Sequence, residues 1–435
     1  MSGFRCFMLS LLGSVVFFGT SVSPVFGSPA SQAGASEKRL RKIELRIEAL
    51  EDGDLIFENQ ESLFFIDLKG RIDLDAIYGS ESSPSSSFNL RRARFGLITT
   101  FQERYKAKVI GAFDDGRASV KDVYLEAELK DFLKLRLGHF KVPIGFERIQ
   151  DSRDVPFAER SISTNNLTSD RDIGIMMHGD VYNEVFSYGF GIFNGDGSSS
   201  EGDNDSQKEV MLRSELKLLA LSGAEFFKNL KIGGGIAIGF GDEGPIHGGT
   251  LSTRSGLEFL TTNPAAEYDG WHIRSSVEVS HFVGPFSFMY EYLSSFQTEI
   301  LLGSTPTTFT HNIVVGGHTI SLAYNLTGET ATFGALQPNS RFSLDDGTWG
   351  ALQLATRISF ISVDDMHFDA DTDAGPLFIG ATGATELDLA LNWYLNENMV
   401  FKLNYNQTWL SDPVLHEGRE VDGEKILTGV LSIVW

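Results

Sequence analysis

"LFFIDLKGRIDLDAIYG", residues 63–79, runs with a period of two. Leu68, Ile72 and Leu74 fall on one face; Lys69, Arg71, Asp73 and Asp75 fall on the other. A strand of this pattern carries one apolar and one polar surface. The rhythm recurs down the chain. Arg92 and Arg94 alternate with Ala93, Phe95 and Leu97, and Lys106 and Lys108 with Tyr105, Ala107 and Val109. Asp122, Glu126 and Glu128 alternate with Val123, Leu125 and Leu129, and Lys402 and Asn404 with Phe401, Leu403 and Tyr405. About sixteen such runs are separated alternately by short turns and longer loops, the layout of an outer-membrane barrel.

A soluble β-sandwich also alternates, so further signals decide. The N-terminus reads as a secretory signal over residues 1–27: "MSGFR" carries one positive charge, "CFMLSLLGSVVFFG" is apolar, and "TSVSPVFGSPA" is a small-residue exit. The apolar run is too short to span a bilayer as a helix. Cys6, the single cysteine, leaves with the signal, so the mature chain has no disulfide framework. Tyr78, Phe101, Tyr182, Trp393 and Trp409 sit near strand ends, where aromatic girdles belong. The last strand, "ILTGVLSIVW", sets Leu431, Ile433 and Trp435 on one face. These features predict an all-β fold: a 16-stranded antiparallel transmembrane β-barrel over residues 62–435, in the bacterial outer membrane with its N-terminus periplasmic. Before it, "EKRLRKIELRIEALE" spaces Leu40, Ile43, Ile47 and Leu50 by 3, 4 and 3. That is an a/d seam, and predicts a short periplasmic helix or coiled coil over 37–52.

Composition narrows the partners. A net charge of -22 and a pI of about 4.8 argue against nucleic acid. No histidine pair has zincin spacing and no nucleophile elbow occurs, so neither an enzyme nor a cofactor is expected. "GDGSSSEGDND" lacks the full spacing of a calcium loop, and "GGG" at 233–235 suits a crowded barrel wall.

One segment breaks the rhythm. "GHFKVPIGFERIQDSRDVPFAERS", residues 138–161, is long, charged, interrupted by two prolines and rich in phenylalanine. Disordered segments are poor in aromatics, so this loop is expected to pack. Counting strands makes it loop three, about 140–171. The connection "TGETATFGALQPNSRFSLDDG", 327–347, falls on the short-turn side and is too long for a turn, so it too is expected to fold into the pore.

With these pieces in place the chain resembles the phosphate-selective porin O and P family of bacterial outer membranes. The resemblance rests on "FNLRRARFGL" (88–97), "SVKDVYLEAELKDFLKLRLGHFKVPIGFE" (119–147), "DSRDVPFAERS" (151–161), "DRDIGIMM" (170–177), "AYNLTGE" (323–329) and "GTWGALQLATRISF" (347–360). It implies a homotrimer of sixteen-stranded barrels in outer-membrane lipid. It also implies that the third and fifth loops and one periplasmic turn fold inside and narrow the channel, making 140–171 a constriction loop pinned by Phe146 and Phe157.

A constriction lined by Arg or Lys favours anions, and Arg can hold phosphate through two parallel hydrogen bonds. Strand parity turns Arg71, Arg92, Arg94, Lys106, Lys108, Arg136 and Arg357 inward, together with Lys69, Lys134, Arg213, Lys217, Arg274 and Lys402. Loop three adds Lys141, Arg153 and Arg160, and Arg171 and Arg341 join from loop and turn. The inward acids are Asp73, Asp75, Asp122, Glu126, Glu128, Glu278, Glu386 and Asp388, fewer than the bases. The expectation is a passive channel preferring phosphate or other small anions. A non-selective porin, or a barrel with a structural or adhesive role, is the alternative, because opposed charges across strands can cancel.

Overall fold

The computed structural model describes residues 55–58, 63–79, 87–195, 207–220, 222–241, 249–302, 309–363 and 375–435. The chain divides into two compact units, Met1–Ile56 and Phe57–Trp435, and the barrel lies in the second. The signal (1–27) and the coil (37–52) fall outside the described residues. No described helix is long and apolar enough to cross a membrane.

Sixteen antiparallel strands close a ring. They are β1 (Leu63–Gly79), β2 (Ser87–Phe101), β3 (Tyr105–Ala112), β4 (Ser119–Lys130), β5 (Leu133–Lys141), β6 (Arg171–Val181), β7 (Phe186–Phe193) and β8 (Glu209–Lys217). Then come β9 (Lys231–Gly241), β10 (Gly270–Val283), β11 (Phe286–Leu302), β12 (Phe309–Asn325), β13 (Ala351–Val363), β14 (Gly383–Asn396), β15 (Met399–His416) and β16 (Arg419–Val434). Each pairs with its neighbours in sequence. The ring shuts where β1 meets β16, with Leu74 opposite Leu431 and Asp73 opposite Ser432. The terminal residue completes the seam: Gly70 N donates to Trp435 O at 2.9 Å and Trp435 N to Gly70 O at 3.1 Å. The Trp435 ring lies over Gly70, where any side chain would collide with it.

The amphipathicity is inverted relative to a soluble protein. Leu125 is 58 % exposed on the outside, whereas Asp388 is fully buried inside. Hydrocarbon accepts the leucine, while a lipid-facing charge at mid-membrane costs about 2–4 kcal/mol. Alternation therefore fixes which face turns in, since a one-residue slip would reverse every side chain.

A β-bulge makes one local exception. Asp73 pairs with Arg92 but Leu74 pairs with Leu90, leaving Arg91 as the extra residue. A bulge sets two residues against one, and Arg91 turns inward beside Arg92, bonding Asp75 at 3.2 Å.

The interior is filled unevenly. Within the loop between β9 and β10, strands Thr250–Ser252 and Glu258–Thr262 form a hairpin whose outer edge pairs with Phe378–Gly380 of the β13–β14 loop. Leu251, Phe259, Leu260 and Phe378 of this small sheet pack on Leu293, Ile313, Val315 and Ile361, which face inward from β11, β12 and β13. This is the largest hydrophobic core of the described residues, and it makes the β11–β16 side solid towards the rim that carries the long loops.

Candidate functional site

Loop three (142–170) leaves β5 through Pro143 and builds two single-turn helices, α1 (Phe146–Ile149) and α2 (Ile162–Leu167). Gly145, at φ 80°, makes the turn into α1. Ser161 caps α2, its Oγ accepting from Thr164 N at 3.2 Å. Glu147 ties the helices together by accepting from Ser161 N at 2.9 Å and Ser161 Oγ at 2.7 Å. The loop's cations brace its own backbone. Lys141 donates to the carbonyls of Arg148 (3.1 Å), Ile149 (3.3 Å) and Gln150 (2.8 Å). Arg160 donates to those of Glu147 (2.9 Å) and Gln150 (2.8 Å). Arg148 donates to Thr168 Oγ1 and Thr164 O, both at 2.8 Å. Burial and the neighbouring Arg160 push the Arg148 guanidinium down to about 10, still charged at neutral pH.

The loop is fastened to inward-facing groups of β11 and β13–β15. Ala158 N donates to Asn404 Oδ1 (3.0 Å), Ile162 N to Glu386 Oε1 (3.0 Å), and Lys402 Nζ to Val155 O (2.6 Å). Asn392 donates to Pro156 O at 2.7 Å, and Glu291 accepts from Phe146 N. Arg357, 1 % exposed, is the central fastening. Its guanidinium reaches Asp388 (3.0 and 2.6 Å), Glu147 (2.5 Å) and the Glu159 carbonyl (3.0 Å). It also lies 4.3 Å from the Phe157 ring centroid. Phe157 and Val155 pack against Ala323, Ala355 and Ala390, three small inward residues that leave room for the ring. Phe146 packs with Phe282 and Ala331. Part of the connection after β12 also lies inside: Phe333 meets Phe146 edge to face at 5.0 Å, and its carbonyl accepts from Gln150 at 2.7 Å.

The wall cations are mostly paired. Arg71 and Arg92 share Asp73, at 2.8 and 2.9 Å, and Arg71 also reaches Asp151 at 3.3 Å. Arg94 is bidentate on Asp114, Lys106 stands 3.6 Å from Glu128, and Lys108 3.1 Å from Asp122. Arg136 pairs with Glu126 at 2.5 Å, and Arg171 with Asp122 (2.8 Å) and Asp170 (2.6 Å). Arg153 turns to its neighbour Asp154 at 3.0 Å. Arg341 is set apart from all of these: it is exposed, on a hairpin whose Phe342 packs edge-on to Trp393. Of the arginines that are not exposed, three have no carboxylate within ion-pair distance among the described residues. Arg148 and Arg160 bind hydroxyl and carbonyl oxygens, and Arg254, from the β9–β10 loop, reaches Thr428 Oγ1 at 3.0 Å.

Between loop three and the β3–β9 wall remains a cavity of about 440 Å³. Its lining includes Lys108, Arg136, Lys141, Arg171, Arg213 and Lys231 against Asp122, Asp151, Asp180 and Glu215. Glu291 and Glu424, buried acids with no ion-paired base among the described residues, are on the packed side and accept from loop amides and hydroxyls. Lys108 and Arg136, turned inward by strand parity, and Arg171, expected from the loop, line this cavity, but the sequence pattern could not see their pairings. It missed Arg91, whose inward turn needs the bulge, and Arg254, which enters on a loop. The paired arginines of "RRAR" were the only signal for the first.

No curated protein sequence matches the chain. Among solved structures it superimposes on an anion-selective porin from Comamonas acidovorans with TM-score 0.54 and 11% identity, covering 86% of this chain and 100% of that one. The outer membrane channel DcaP of Acinetobacter baumannii gives TM-score 0.53 at 10% identity, covering 87% and 99%. The trimer form of OmpT from Vibrio cholerae gives 0.52 at 11%, covering 86% and 99%. At such identities the likeness is one of fold. The family model for phosphate-selective porins O and P matches residues 66–412, so the chain belongs to that family and is an outer-membrane channel.

Proposed function

We propose that this channel passes small anions in preference to cations. The observation that carries the reading is the set Arg148, Arg160 and Arg254, whose charges no carboxylate cancels at contact among the described residues. Arg keeps its proton at any ordinary pH, and charge in a narrow, partly dehydrated passage is weakly screened. The cavity lining adds six Lys or Arg against four Asp or Glu. Phosphate is one such anion. Most guanidinium forks that would grip it already hold carboxylates, which favours a broad preference for small anions over a dedicated phosphate site. The fold relative named as an anion-selective porin supports the same direction.

The test is the reversal potential of the purified channel in a KCl gradient. Wild type should be anion-selective. Arg92→Ala with Arg94→Ala, which leaves Asp73 and Asp114 without these partners, should move it towards cations. A wild type without anion preference would refute the reading, and an unmoved potential in the double variant would leave Arg92 and Arg94 as structural wall residues.

The working unit is a homotrimer with its N-terminus in the periplasm, and the Leu40–Ile43–Ile47–Leu50 seam strengthens the assembly. A fold relative solved in a trimer form supports this. Deleting 37–51 should weaken the trimer in mild detergent and spare the barrel. A monomeric full-length protein would refute it.

A further inference from the structure

We propose that the cavity between loop three and the β3–β9 wall binds small organic carboxylates with a flat, apolar body, and holds them more tightly than acetate or inorganic phosphate. This deepens the anion reading and rests on it for the sign of the field. A porin lumen is ordinarily polar, yet this cavity is lined by the half-buried side chains of Tyr124, Phe333 and Ile149. Cations lie over the rings. The Arg136 guanidinium is 4.5 Å and Lys108 Nζ 5.8 Å from the Tyr124 centroid, and Lys231 Nζ is 5.9 Å from that of Phe333.

Two features set the ligand class. A strongly hydrated inorganic anion needs free N–H donors, and Arg136 spends its own on Glu126, at 2.7 and 2.5 Å. A guanidinium held at its edge still offers a face on which a flat group stacks. Lys108 and Lys231, held at the cavity wall by Asp122 (3.1 Å) and Glu215 (2.6 Å), keep donors that can meet a carboxylate while an apolar body covers the rings and Ile149. Apolar walls with a few convergent polar groups, in a volume of some hundreds of cubic ångströms, are what small-molecule sites share.

The experiment uses full-length protein in a planar bilayer. Chloride current is titrated with benzoate, acetate and inorganic phosphate, and the reversal potential is read in the same membranes. Benzoate should half-inhibit at a concentration roughly tenfold below acetate, the size of one aromatic contact. Tyr124→Leu and Phe333→Leu, each confirmed as folded by heat-modifiable migration, should shrink that advantage. Equal inhibition by benzoate and acetate, or an undiminished advantage in both variants, would overturn the proposal. A benzoate advantage in a cation-selective channel would overturn the anion preference while supporting the ligand class. An anion-selective channel without the advantage would do the reverse.

Discussion

Arg357→Met tests how loop three is held. The methionine keeps an unbranched chain of similar length and removes the charge. Three hydrogen bonds to carboxylates and one to a carbonyl disappear, and Glu147 and Asp388 stay buried without a counter-charge. Breaking a buried ion pair from one side costs about 3–5 kcal/mol. The barrel is stitched by sixteen strand pairings, so the cost should fall on the loop alone. Opening of residues 147–162 should become roughly a hundred- to several thousandfold more frequent. Hydrogen exchange reads this at Ser161 and Ile162, whose amides are bonded to Glu147 and Glu386. Their exchange should accelerate by that factor while β16 amides hold. Glu147→Gln added to Arg357→Met should recover part of the loss, since it removes one stranded charge. Unchanged protection at both amides would refute the fastening role of Arg357.

Phe157→Ala empties the site formed by the three alanines and removes the ring beside Arg357; at about 3–5 kcal/mol, it should raise single-channel conductance, and an unaltered conductance would count against the pinning of the loop there. Gly70→Ala puts a Cβ 2.0 Å from the Trp435 ring, so the barrel should lose about 1–3 kcal/mol in heat-modifiable migration and regain it when Trp435→Ala is added; a stable single variant would refute the clash. Acidification makes a signed prediction. Burial raises the Asp170 carboxyl, but Arg171, Arg148 and Lys141 outweigh it and hold it well below the ordinary range. Burial likewise raises Glu147 and Arg357 outweighs it. Carboxyls depressed in the folded state lend stability that is full above their unfolded value of about 4 and is lost only as pH falls through the lower folded one. Loop protection, corrected for intrinsic exchange, should therefore be equal at pH 7 and pH 5; release by pH 5 would contradict it.

Alternation is a property of single strands, and for that reason the ring and its inward set could be read directly. Arg71, Arg136 and Arg357 face in because their neighbours Ile72, Leu135 and Ile358 belong outside. What parity could not reach depends on contacts between distant elements. Leu293, Ile313 and Ile361 face inward although apolar, because loops from two other hairpins cover them. Arg91 turns in through a register shift whose cause lies in the pairing of β1 with β2. Lys141 and Arg160 were expected to aim charge at the pore; their donors brace loop carbonyls, a partner that leaves no trace in side-chain pattern. Arg341 shows the converse: the connection that carries it enters the barrel near Phe333 and has left again before residue 341.

The fastening of loop three sets an order of events. Ala158 bonds Asn404, 246 residues further along the chain, and Ile162 bonds Glu386, 224 residues on. Contacts that distant form only after the intervening chain is in place. β13, β14 and β15 must therefore be present before the loop has anything to dock on, and the core of small-sheet residues must wait for the same wall. Loop three therefore settles after the strands that hold it, and its cations take their places inside the barrel only once that wall stands.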